Sequence, residues 1–187
     1  MEVHMATTRI IPMHINKGKT IAQCMKARID YVKNPDKTED GEFISAYACA
    51  PESADQEFVL ARNQYLMNAG NGKKNEVNAY QLRQSFKPGE VSAEEANQIG
   101  YELAERLLHG EHAFIVATHT DRRHVHNHIV FCATALDCSI NSGMCGIPVV
   151  LLRRSEMSFA VSIIFLSFRI RRTKPFRMRN GRAINLN

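Results

Sequence analysis

The 187 residues, 44% of them apolar, suffice for one ordinary domain with its own core. The net charge of +5 is unevenly spread: from Ser139 to Asn187 nine Lys or Arg face one acid, Glu156, so that segment carries +8 and the first 138 residues carry −3. The longest apolar run, Phe159 to Phe168, falls far short of the roughly 20 residues that cross a bilayer, and five cysteines without a CxxC pair or a signal-peptide pattern argue against a secreted disulfide scaffold, so a cytoplasmic chain with free thiols and no membrane span is expected.

The elements follow in order. Thr8 to Ile15 is apolar and β-branched and reads as a strand. After the turn NKGK, Thr20 and Gln23 have capping-box spacing, and Ile21, Met25, Ile29 and Val32 form a helical stripe that Asn34-Pro35 ends. Phe43 to Ala50 reads as a second strand, and Ser53 with Gln56 repeats the cap pattern before a helix running to about Met67. Val77 to Phe86 is a third strand, KPGE a turn, and Ser92 with Glu95 another capping box; Ala96, Ile99, Leu103 and Leu107 share one face of the helix that Gly110 closes. His112 to His119 and His124 to Thr134 are two strands joined as a hairpin by TDRR. This order predicts an α+β domain with a largely antiparallel central sheet and helices on one face.

The last hairpin holds the chemistry. In HTDRRHVHNHIVF (His119 to Phe131), strand alternation points His124, His126, His128 and Val130 one way and Val125, Asn127, Ile129 and Phe131 the other. With the apolar side given to the helices, the imidazoles are expected on the open face, and the turn returns His119 beside them. Three such nitrogens suit Zn, Mn, Ni or another first-row metal; Mg²⁺ prefers oxygen and would be held weakly. Asp121 either orients one ring through its second nitrogen or caps the turn.

HTDRRHVHNHIVF resembles the HxDxxHxHxH motif of relaxase/mobilisation nucleases, the HUH endonucleases. TTRIIPMHINKGKT, IDYVKNPDKT, YQLRQSFKPGEVSAEEANQIGYELAERL and HAFIVATHTD resemble the VirD2-like mobilisation branch in the same order, over about Ala6 to Asp137. The resemblance implies an RRM- or ferredoxin-like palm. It also implies an enzyme that nicks single-stranded DNA at a transfer origin, for mobilisation of a plasmid or integrative element. In that chemistry a tyrosine forms a 5′-phosphotyrosyl intermediate with the help of a divalent ion, Mn²⁺, Mg²⁺ or Zn²⁺.

By motif match His119, His126 and His128 bind the metal, and Tyr31 in IDYVKNP is the nucleophile. Tyr31 falls about 115° from the centre of its helix's apolar stripe at 100° per residue, so it avoids the core. Tyr47 and Tyr80, on predicted strands, are the alternatives. His124, at a position often taken by another polar residue, and Asp121 stand behind the ligands. Arg83, Gln84 and Ser85 in RQSF contact DNA or only satisfy the sheet; Lys17, Lys19, Lys33 and Lys37, flanking the tyrosine helix, meet phosphates or are simply solvated. An accessory mobilisation protein and a coupling protein are the implied partners. A rolling-circle replication initiator is the related alternative, less consistent with QSFKPGE and INKGKT.

Two departures stand out. Cys132 occupies a position where the family commonly has asparagine, which implies reduced activity. The resemblance stops near Asp137 to Cys138, which divides the chain into a nuclease domain, 1–138, and a basic tail, 139–187, expected to be disordered or frameshift-derived. A truncated relaxase is the expectation, and an inactive remnant that only binds metal or single-stranded DNA is its alternative.

Overall fold

The computed structural model describes residues 7–69 and 77–139. Their elements are β1 (Thr7–Met13), α1 (Ile21–Val32), α2 (Pro35–Thr38), β2 (Ile44–Tyr47), α3 (Ala54–Ala69), β3 (Ala79–Ser85), α4 (Ala93–Leu108), β4 (Phe114–His119) and β5 (His126–Cys132). The five strands form one sheet in the order β1-β3-β5-β4-β2, antiparallel at every pairing. The last of the described strands is therefore the middle one in space. From residue 140 the expected tail lies outside the described residues.

Local signals set most boundaries. The Thr20 hydroxyl accepts from the Gln23 N–H at 3.2 Å while the Gln23 carboxamide accepts from the Thr20 N–H at 2.9 Å, which satisfies two of the orphan donors at the start of α1. Ser92 and Glu95 do the same for α4. At α3 the Ser53 hydroxyl instead donates to Glu57, whose carboxylate also accepts from the Ala50 N–H. Asn34-Pro35 ends α1 and also begins α2: the Asn34 side chain accepts from the Asp36 N–H at 3.0 Å with Pro35 in the first turn. That short helix was not expected from the sequence.

The α+β class and antiparallel sheet are as expected, but the helices cover both faces. Leu103, Ala104, Leu107 and Leu108 of α4 pack on Leu82, Phe114, Val116, Ile129 and Phe131. On the other face Met25, Ile29 and Val32 of α1 and Ala54 and Phe58 of α3 pack on Met13, Ala79, Ile115, Ala117, Val130 and Cys132. The single-face expectation treated Val130 as an outward residue, yet Val130 and Cys132 continue the histidine side of β5 as an apolar surface that needs cover. α1 and α3 bury that lower half and leave the upper half to the polar residues.

Beneath α4 the packing is close. A Cβ built on Gly100 would stand 2.5 Å from Asn127 Nδ2 and 2.9 Å from a Val116 methyl, so glycine is what lets this helix reach the sheet. Asn127 donates to the Ala96 carbonyl at 2.6 Å and to the Gln84 carboxamide at 3.0 Å, and accepts from Thr118 at 2.7 Å. An amide between His126 and His128 is thus pinned to α4, β3 and β4, which fixes which face of β5 the histidines occupy.

Candidate active site

Register brings the histidines together. His119 on β4 pairs with His126 on β5, and His128 stands two residues further along the same face. One nitrogen from each of His119, His126 and His128 can be chosen so that all three lie within 4.8 Å of one another. His124 lies outside β5, with its ring centroid 5.5 Å from that of His126, and contributes its backbone carbonyl toward His126 Nδ1 at 3.5 Å.

The open face expected for these rings is not what forms. His119 is 0% exposed, His128 2% and His126 3%, and the C-terminal end of α1 lies against two of them, with Val32 bonded to His119 and Tyr31 edge-on to His119 and His128. Burial pushes the His126 pKa down to about 4 and that of His128 to about 2, with the charges of neighbouring imidazoles and Arg83 adding to the depression. His119 is lowered by burial too. At neutral pH these are uncharged imidazoles with lone pairs to offer.

Each ring holds one nitrogen engaged and presents the other. His119 Nε2–H donates to the Val32 carbonyl at 2.9 Å, leaving Nδ1 buried with no partner. His128 Nδ1 meets the side-chain amide of Gln81, leaving Nε2 buried with no partner. Unpartnered buried nitrogens are costly and uncommon. Three convergent neutral imidazoles, two of them with such nitrogens, fit a divalent first-row metal ion.

Tyr31, near the end of α1, is 46% exposed, and its ring centroid lies 5.8 Å from that of His128 and 6.0 Å from that of His119. Lys37 of α2 places Nζ 4.6 Å from the centre of the same ring and pairs with Asp121 at 3.6 Å. Asp121 therefore holds Lys37 rather than a histidine ring. Tyr47 and Tyr80 are on the opposite face. Tyr47 stacks on Phe114 and donates to the Gly110 carbonyl, and Tyr80 stacks on Phe131 with its pKa raised by burial.

The RQSF segment splits by alternation. Arg83 is exposed and pairs with His128 in register, and Ser85 pairs with His126, whereas Gln84 is 1% exposed and accepts from Asn127 beneath α4. Gln84 satisfies the sheet and does not reach the histidine face. Arg9 of β1 pairs with Arg83, so one rung across the sheet carries Arg9, Arg83 and His128, both arginines exposed. Lys33 donates to the Pro51 carbonyl. Lys17 and Lys19 precede α1, at the end away from Tyr31. Cys132 is four residues beyond His128 on the same face, buried under α3, with its pKa raised to about 11 by that burial.

Gln81 was missed in the sequence, although its alternate spacing with Arg83 and Ser85 places it on the histidine face. The Val32 carbonyl carries no sequence signal at all.

A family model described as "Relaxase: MobA/VirD2-like, nuclease domain" matches residues 31–142, more than half of the chain. A protein rlx of Staphylococcus aureus is 40% identical over 99 residues, 53% of this chain and 29% of that protein. A second Staphylococcus aureus protein rlx is 48% identical over 66 residues, 35% of this chain and 21% of its own length. The group II intron-interrupted relaxase LtrB of Lactococcus lactis subsp. cremoris is 30% identical over 126 residues, 57% of this chain and 22% of that protein. The chain thus spans less than a third of the length of these curated relatives. Among the described residues no helix is long and apolar enough to cross a membrane.

Proposed function

The chain belongs to the MobA/VirD2-like relaxases by its nuclease domain, and from that premise we propose that it nicks single-stranded DNA at a transfer origin, with Tyr31 as the nucleophile. The observation that carries this reading is the edge-on contact of an exposed tyrosine ring with His119 and His128 of the three-histidine cluster.

In the proposed reaction the Tyr31 hydroxyl oxygen attacks a phosphodiester. A bond from that oxygen to phosphorus forms as the bond from phosphorus to the 3′ oxygen breaks. The products are a 5′-phosphotyrosine and a strand ending in a 3′ hydroxyl. The phenolic proton leaves to solvent, the 3′ oxygen takes one up, and one phosphodiester replaces another, so the strand can be rejoined by the reverse step. A divalent ion bound by His119, His126 and His128 would polarise the phosphate and offset charge developing on its oxygens.

The protein's own groups supply the rest. The histidine cluster stays uncharged, so it adds no proton to the site at neutral pH. Arg83 and Arg9 extend positive charge along one rung toward the β1 edge, where neighbouring phosphates of a single strand can lie. Lys37 holds the tyrosine ring through its charge and is itself held by Asp121. The reading extends to an accessory mobilisation protein and a coupling protein as partners.

The test is covalent trapping. Native protein and Tyr31→Phe are incubated with Mn²⁺ and labelled single-stranded oligonucleotides tiled across the DNA flanking the gene. A labelled adduct from the native chain alone is expected. Absence of adduct on every tile with Mn²⁺, Mg²⁺ and Zn²⁺ would overturn the reading; retained metal and DNA binding would then favour a binding remnant.

A further inference from the structure

We propose that Gln81 is a positioning residue of the histidine cluster: its side-chain carbonyl takes the Nδ1–H of His128 and so turns the Nε2 lone pair toward the bound ion. This inference rests on the metal reading above and adds a residue to which no role has been assigned.

Gln81 sits on β3 opposite Val130, two rungs from the Arg83–His128 pair and on the same face. It is 2% exposed, and its side-chain contact is with His128 Nδ1. A buried amide between Val130 and Ile11 in register is costly unless it is hydrogen-bonded, so its place beside one ring nitrogen is specific.

A neutral imidazole has one N–H and one lone pair, so the neighbour of one nitrogen decides what the other can do. With the proton on Nε2, His128 would aim a buried donor into a cluster where that atom has no partner. With the proton on Nδ1, the donor has Gln81 beside it and Nε2 faces the other two ligand nitrogens as a lone pair. His119 already follows this pattern, its Nε2–H committed to the Val32 carbonyl and its Nδ1 left free. Both rings are then fixed by oxygen acceptors from outside the cluster, the arrangement that raises ligand basicity and orients the ring.

The amide can serve because it is two-sided. The structure places the Gln81 nitrogen beside Nδ1, and rotation about the last side-chain torsion exchanges nitrogen for oxygen within the same volume. No other side-chain bond of Gln81 is lost in the exchange among the described residues. Gln81 is therefore expected to turn its oxygen inward when the ion is taken up, locking the tautomer that ligation requires.

Replacement separates the roles. Gln81→Met keeps the volume and removes the acceptor; Gln81→Glu can only accept. Full-length native and variant chains are titrated with Co²⁺, read by its visible absorption, and with Zn²⁺ against a competing chelator. Thermal unfolding without added metal is measured in parallel. Gln81→Met is expected to weaken metal binding about 10–100-fold, whereas Gln81→Glu binds at least as tightly as the native chain. Long-range ¹⁵N NMR of the Zn²⁺-loaded native protein is expected to show His128 protonated at Nδ1.

Equal affinity of native and Gln81→Met, or coordination of His128 through Nδ1, would overturn the proposal. If Gln81→Met does not fold, a Gln81→Glu affinity more than tenfold below native overturns it equally. A native chain that takes up neither metal removes the metal reading and this inference together. Normal uptake with an indifferent Gln81 removes this inference alone.

Discussion

Asn127 and His128 are neighbours on β5, both almost fully buried, and their polar atoms are treated in opposite ways. The Asn127 amide is saturated by Thr118, Gln84 and the Ala96 carbonyl beneath α4, while His128 keeps a buried nitrogen with no partner under the end of α1. One face of the strand uses buried polarity to hold the hairpin in register. The other keeps buried polarity unsatisfied, ready for a ligand. A strand two residues per repeat can do both because its alternate side chains never share an environment.

The two faces of β5 differ most at His128. His128→Leu is expected to lower covalent adduct formation about 1,000-fold while changing the Tm without metal little, since removing an unpartnered buried nitrogen is offset by leaving the Gln81 amide without its partner. A clear loss of Tm would mean that the histidine face also carries stability.

Next in size is Asn127→Ala, which takes the acceptor from the Thr118 hydroxyl, still held by Asn97, and removes a donor from Gln84 and Ala96. A loss of about 3 kcal/mol in urea unfolding is expected from the unsatisfied groups. A loss below about 1 kcal/mol would show that packing by α4, and not the amide network, holds the register.

Acid separates the faces without mutation. His126 and His128 have pKa values depressed by burial to about 4 and about 2, against roughly 6.5 in the unfolded chain. Below pH 6.5 the unfolded state binds protons that these rings refuse, so their contribution is present above that pH and lost as pH falls toward 4. The slope is about 1.4 kcal/mol per pH unit for each such ring. Denaturant unfolding between pH 7 and 5, with His128→Leu as control, should show a shallower slope in the variant; identical slopes would count against the depression.

The smallest effect is expected on the arginine rung. Arg9→Ala and Arg83→Ala should each weaken single-stranded DNA binding several-fold and reduce the salt dependence by about 0.7 per lost phosphate contact, with metal affinity unchanged. Fluorescence anisotropy at several salt concentrations measures this, and unaltered slopes would remove the rung from the DNA path.

Much of the fold was legible because its signals are local. Thr20 with Gln23, Ser92 with Glu95 and the glycine after Leu108 act within one turn of chain, and each marks a boundary that the structure keeps. Alternation along His126-Asn127-His128 sorted the strand's two faces correctly. The same alternation, applied to RQSF, separates Gln84 from Arg83 and Ser85; grouping the three by motif obscured a signal that was present. What covers the histidine face was not legible, because a stripe on α1 says that the helix buries something without saying which sheet face it buries.

Residue order alone determined most of the elements, the pairing of the two histidine segments as a hairpin, and the placement of His126 and His128 on one side of a strand. The tertiary structure decided that this side is roofed by α1, that Tyr31 rather than Tyr47 or Tyr80 stands beside it, and which nitrogen each ring presents. Those last choices depend on Val32 and Gln81, 87 and 47 residues distant in sequence from the rings they meet. Periodicity reaches across one element, whereas a ring's tautomer is set by whichever acceptor the packed chain brings to its other edge.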